Sequence, residues 1–195
     1  MKDVSDAELV ETGLLERARR FDPEALRALH DRFYAPVYRY VHFKVADPQS
    51  SEDLTSEVFV RVLEALKRGM EWRTTPAAWI FGIARHVVAD HYRKRMRQAE
   101  VELDDGLTMP GEDGPIARVV VAEEYEALAK AIGSLTDEQR DVILMRFMEG
   151  LSIQDVAAAL DKTPGAIKGL QHRALRALSH SMLYDSSEDV AGGGL

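Results

Sequence analysis

At 195 residues, with 46 % apolar and 30 % charged residues, the chain has the composition of a soluble globular protein with room for one or two cored domains. It has no cysteine, which excludes disulfides, thiolate metal sites and a cysteine nucleophile, and neither a signal-like opening nor a membrane-length apolar run, so a cytosolic protein without membrane contact of its own is expected. The formal net charge of -8 is uneven: residues 1–97 carry +2, 98–118 carry -5, 119–183 carry -2 and 184–195 carry -3, so the excess equals that of two short segments and the rest can present basic faces.

Residues 7–21 read as a first helix with Leu9, Leu14 and Ala18 apolar, weakened by Gly13. Asp22-Pro23 opens a long helix in which Leu26, Leu29, Phe33, Val37, Tyr40 and Val41 keep a helical period, with a kink expected at Pro36. Asp47-Pro48 ends it. Ser50 or Ser51 is the expected cap of the next helix, where Leu54, Val58, Val62 and Leu66 repeat every four residues and Gly69 terminates it. Asp53, Glu57, Arg61 and Glu64 lie on its other, charged face. A short loop carrying Trp72 and Arg73 leads to Thr75-Pro76, a second cap-and-proline start. There Trp79, Ile80, Ile83, Ala84, Val87 and Val88 form an apolar side, and the helix finishes in the basic run HYRKRMR, 91–97. Cations at a helix C-terminus favour the dipole, but four so close repel one another unless an anion neutralises them.

From Gln98 to Arg118 the periodicity stops in a segment rich in acids, Gly and Pro, which reads as a linker. Helical patterning returns with Val121, Tyr125, Leu128 and Ile132. Thr136 with Gln139 is a capping box for a helix bearing Val142, Ile143, Met145 and Met148, which Gly150 stops. Two helices joined by a tight turn follow. Ser152 with Asp155 starts the first, on which Val156, Ala157 and Leu160 share a face. Asp161-Lys162 makes the turn, Asp tolerating the left-handed conformation, and Thr163-Pro164 starts the second helix. Ile167, Leu170, Ala174 and Leu178 form a buried stripe there, leaving Lys168, His172 and Arg176 outside with Gln171 and Arg173 beside them, and no acid occurs from Thr163 to Leu183. Such a helix suits the major groove of DNA, where long donors reach base edges. An ordinary helical hairpin with a solvated basic face would share the spacing. The tail after residue 183 is expected to be mobile. With no strand-length alternation and no internal repeat, the fold class is all-α.

His86, Asp90 and His91 suggest a metal site only weakly, since adjacent residues of a helix point in different directions. No metal, cofactor or catalytic centre is expected, there being no HExxH, phosphate-cradling glycine loop or nucleophile elbow.

Three blocks, SEDLTSEVFVRVLEAL (51–66), PAAWIFGIARHVVADHYRKR (76–95), and LTDEQRDVILMRFMEGLSIQDVAAAL with GAIKGLQHRALRAL, give the chain its resemblance to a bacterial RNA polymerase sigma factor of the extracytoplasmic-function type. The resemblance implies an N-terminal extension (1–22), a sigma-2-like domain (23–97), an acidic linker (98–118), a sigma-4-like domain (119–183) and a tail (184–195). It implies a non-enzymatic initiation factor whose helix at Asp53, Glu57, Phe59 and Arg61 docks on the beta-prime coiled coil of core RNA polymerase, while the sigma-4 domain sits on the beta flap. Promoter contact is implied at the minus-10 element for Trp72, Arg73, Arg85, His86, Arg93 and Lys94, and at the minus-35 element for Arg146, Thr163, Lys168, Gln171, His172 and Arg173. An anti-sigma factor is an implied partner, and the linker takes the place of a segment that threads toward the polymerase active-site channel. Departures occur: the family often has Gln at Ser56, Arg or Lys at Gly82, Asn at His86, and Arg-Leu at Leu170-Gln171, the last removing a cation from the second helix. A stand-alone helix-turn-helix regulator, which would bind duplex DNA without polymerase, is the rival reading.

Overall fold

The computed structural model describes the backbone of residues 6–69, 75–104 and 130–191, and the side chains of 13–69, 75–98 and 130–180. Every regular element among these is helical. The chain divides into two compact units, an N-terminal one and a C-terminal one.

The first unit packs four helices: α1 (Asp6–Arg19), α2 (Pro23–Val45), α3 (Pro48–Lys67) and α4 (Pro76–Asp104). Helix α1 runs through Gly13 and buries Leu15 and Ala18 completely. It packs on α2, α3 and α4, so residues that the sequence reading sets aside as an extension complete the bundle. Between α1 and α2, Phe21 takes a left-handed φ of 58°, and Asp22 caps α2 by accepting from the Glu24 amide at 3.0 Å while Arg17 Nε donates to its other oxygen at 2.8 Å. Helix α2 continues beyond Pro36 to Val45 and buries Leu29, Phe33, Val37, Tyr40 and Val41. Tyr40 meets Phe81 of α4 edge to face at 5.7 Å, each ring 1 % exposed. Phe81 is a core residue that the reading of α4's apolar side leaves out.

The cap of α3 is Asp47 rather than Ser50 or Ser51. Pro48 presets the first helical φ, so the helix starts earlier than those serines, and the Asp47 carboxylate accepts from the Ser50 amide at 2.7 Å. Ser51 is buried, and its hydroxyl donates to the Asp47 carbonyl at 2.6 Å; Thr55 donates likewise to the Ser51 carbonyl at 2.7 Å. Buried hydroxyls are thus satisfied within the helix. Leu54, Val58, Val62 and Leu66 form the expected core stripe, and Gly69 ends the element with a φ of 68°. Helix α4 continues past Arg97 to Asp104, taking in residues read as the start of the linker; the rest of that linker lies outside the described residues.

The described part of the second unit opens with helical residues at 130–133. Arg140 closes that segment, donating from Nε to the Ile132 carbonyl at 3.2 Å and from Nη2 to those of Gly133 at 2.6 Å and Leu135 at 3.1 Å. The Thr136–Gln139 capping box starts α5 (Asp137–Ile143). The chain then widens into a π turn, Leu144–Met148, where the reading has an ordinary helix, before Gly150 at φ 69°. Helices α6 (Ile153–Ala159) and α7 (Pro164–Ala191) follow. Leu135, Ile143 and Ala174 form a buried cluster on which Leu178 packs. Helix α7 extends to Ala191, through most of the stretch read as a mobile tail.

Candidate nucleic-acid and docking surfaces

The start of α7 is built as its residue types dictate. Ser152 and Asp155 bond reciprocally at the head of α6, the Asp155 amide donating to Ser152 Oγ at 3.1 Å and the Ser152 amide to Asp155 Oδ2 at 3.2 Å. Asp161 turns the chain with a φ of 52°, and Thr163 Oγ1 accepts from the Ala166 amide at 3.2 Å. Ile167 and Ala174 are wholly buried and Leu170 is 7 % exposed, so Lys168, His172, Arg173 and Arg176 stand in solvent on the outer side. Lys168, Arg173 and Arg176 make this outer side an anion-seeking surface, since the first turn holds proline at Pro164 and spends the Ala166 amide on its own cap.

Two residues assigned to this surface sit differently. Gln171 is only partly exposed, with its Oε1 buried and unpartnered among the described residues, because its position flanks the buried stripe rather than the outer crest. Arg146 emerges from the π turn and donates through Nη1 to the Leu151 carbonyl, its Nε buried, so part of its guanidinium tethers the entry to α6. Thr163 is exposed, but its hydroxyl serves the cap.

On α4, His86, Arg93, Lys94, Arg95 and Arg97 are exposed, whereas Arg85 is half-buried. Trp72 and Arg73 lie outside the described residues. Asp90 stands amid the basic stretch. Its Oδ2 accepts from Arg61 Nη1 of α3 at 2.8 Å, its Oδ1 accepts from Arg93 Nη2, and Arg61 also reaches Glu57 Oε1 at 2.6 Å. The Arg61 guanidinium is the main reason that the Asp90 carboxyl is held below its ordinary pKa, with Arg93 and His86 adding to it, and Asp90 with Glu57 raises Arg61 in turn. The sequence weighs Asp90 only as a metal ligand. Its spacing to His86 and Arg93 marks it as their helix neighbour, but nothing local points to Arg61, 29 residues away.

The four residues assigned to polymerase docking divide. Asp53 is exposed and Glu57 half-buried on one flank of α3, and Arg61 turns from that flank to α4. Phe59 turns the other way, its ring 4.8 Å from His30 and 6.1 Å from Tyr34 of α2. The rings continue along α2, Tyr38 lying 6.5 Å from Tyr34 and His42 5.7 Å from Tyr38. Val60 and Leu63, 53 % and 41 % exposed, stand on the crest of α3. No helix among the described residues is long and apolar enough to cross a membrane.

Residues 27–98 match the family model Sigma-70 region 2, and residues 125–178 match Sigma-70, region 4. The chain is 34 % identical over 185 residues to the ECF RNA polymerase sigma factor BldN of Streptomyces coelicolor, covering 94 % of this chain and 69 % of that protein. It is 33 % identical over 164 residues to the ECF RNA polymerase sigma factor SigX of Bacillus subtilis, covering 82 % of this chain and 84 % of that one. Among solved structures, the fold resembles the sigma factor RpoE, determined in complex with the anti-sigma factor NepR from Bartonella quintana, with a TM-score of 0.63 at 23 % identity over 86 % of this chain and 99 % of that one.

Proposed function

This chain belongs to the sigma-70 family as an RNA polymerase sigma factor of the extracytoplasmic-function type, a transcription initiation factor rather than an enzyme, and from that premise we propose how its surfaces divide the work. Core RNA polymerase docks on α3 of the first unit, with Asp53 and Glu57 offering charge on one flank and Phe59 an aromatic surface on the other. The beta-prime coiled coil is the matching element of the polymerase, and the beta flap receives the second unit. Helix α4 engages the minus-10 element through Arg85, His86, Arg93 and Lys94, and Trp72 and Arg73 take part in the same recognition. Helix α7 reads the minus-35 element. The protein works in the bacterial cytoplasm, and an anti-sigma factor holds it until released, a reading supported by the complex in which the similar RpoE was determined.

The observation that carries this reading is α7 itself: a capped helix without an acid from Thr163 to Leu183, its apolar stripe buried and its Lys168, His172 and Arg173 exposed. Major-groove contact by such side chains gives about 1–3 kcal/mol of discrimination for each good bidentate pair. The test is run-off transcription on sheared genomic DNA with core RNA polymerase, with and without the protein. Discrete new transcripts are expected, and Lys168→Glu with Arg173→Glu should abolish them while comigration with core polymerase persists. Transcripts indifferent to that double substitution would overturn the minus-35 assignment.

A further inference from the structure

Between Pro76 and Ala99, Asp90 is the one acidic residue, and it stands among Arg85, His86, Arg93, Lys94, Arg95 and Arg97. On a helix that approaches phosphate, a carboxylate there subtracts attraction. Its place in the bundle accounts for the choice. Arg61 of α3 holds one carboxylate oxygen at 2.8 Å, while Arg93 of α4 itself donates to the other. Arg61 and Asp90 have side chains 32 % exposed, against 67 % for Arg93, so the anchor lies in the helix–helix seam and the held guanidinium faces solvent.

We propose that Asp90 is a positioning residue for promoter contact: anchored by Arg61, its carboxylate holds the Arg93 guanidinium in one orientation, giving up general attraction for phosphate in return for a fixed donor. Arg93 retains further N–H groups for DNA, because a guanidinium carries five donors in a rigid fork. Preference for one site over others depends on such fixed donors, whereas non-specific affinity depends on the count of free cations. Asp90 therefore lowers the second and raises the first. The inference rests on the reading that α4 meets promoter DNA.

Asp90→Asn in the full chain tests it. Binding of the polymerase-free protein to a labelled random-sequence duplex, followed by fluorescence anisotropy, should tighten about two- to fivefold at low salt, the range of an exposed ion pair. The slope of log affinity against log salt should steepen by about one. With core polymerase, preference for a promoter fragment recovered by run-off transcription over the random duplex should fall severalfold, and Asp90→Glu should restore it. The gain on random DNA should vanish when Arg93→Ala is added. A gain that persists in that double variant is bulk charge alone and overturns the proposal. So does a fall of both affinities in step with the melting temperature, the mark of a merely structural carboxylate, or no change in either. Arg93→Ala with promoter binding intact overturns the placement of α4 on DNA and this proposal with it; weakened promoter binding in Arg93→Ala beside an unchanged Asp90→Asn overturns the proposal alone.

Discussion

His91 is half-buried on α4, its Nε2 enclosed without a hydrogen-bond partner among the described residues, and burial first, then Arg95, hold its pKa below the ordinary 6.5. The folded protein therefore disfavours the imidazolium more than the unfolded chain does. Stability is unaffected above about pH 6.5 and declines as pH falls from there through the depressed folded value, where the unfolded chain binds the extra proton. Denaturant titrations across that window should show the decline, and His91→Gln should flatten it; an equal slope in both proteins would exclude His91 as its source. The local roles of Asp161, Thr163, Thr136 and Gln139 are legible from residue type, because a cap or a left-handed turn depends on neighbours within three or four positions. Gln171 and Arg146 are not. Whether a long polar side chain lies on the crest or folds back onto a carbonyl depends on atoms outside its own helix.

At the scale of the element, caps and proline starts locate the beginnings of α2, α4, α5 and α7 well, whereas the ends of α4 and α7 overrun their sequence signals. Both helices pass into acidic stretches, where composition argues for a linker or tail but no glycine or proline stops the helix before Asp104 or Ala191. The start of α3 gives a direct test of the corrected cap. Asp47→Ala should cost about 1 kcal/mol in a urea titration, while Ser50→Ala, which keeps the capped amide and loses only the hydroxyl beside the Asp47 carboxylate, should cost less. Helix α1 carries a larger prediction. Leu15 is fully buried where α1 joins the bundle, so Leu15→Ala should destabilise the first unit by about 2–5 kcal/mol, read as faster amide exchange in α2. Unaltered exchange there would mean that α1 contributes nothing to the core.

Along the whole sequence, charge is distributed unevenly. The net charge of -8 coexists with two basic surfaces because acids are gathered at 98–118 and 184–195. Since α7 runs to Ala191, its first part is free of acids while Asp185, Glu188 and Asp189 lie toward its far end, so one helix offers attraction at its start and repulsion at its finish. Asp185→Asn, Glu188→Gln and Asp189→Asn together should raise affinity for random-sequence duplex a few-fold in about 10 mM salt, where the Debye length is about 30 Å, and hardly at all near 1 M, where it is about 3 Å. Anisotropy at the two ionic strengths reads the difference, and a gain that survives high salt would point to something other than long-range repulsion.

By itself the sequence determined the all-α class, most helix starts, the larger part of the buried stripes, the basic faces and the family, because these follow from periodicity, capping chemistry and composition along a continuous stretch. The tertiary structure alone decided that α1 belongs to the bundle, that Phe59 turns to the α2 rings while Arg61 turns to α4, and that Asp90 ties α3 to the basic stretch of α4. Those pairings join residues from different helices, and only the crossing of the packed helices brings their side chains within bonding distance.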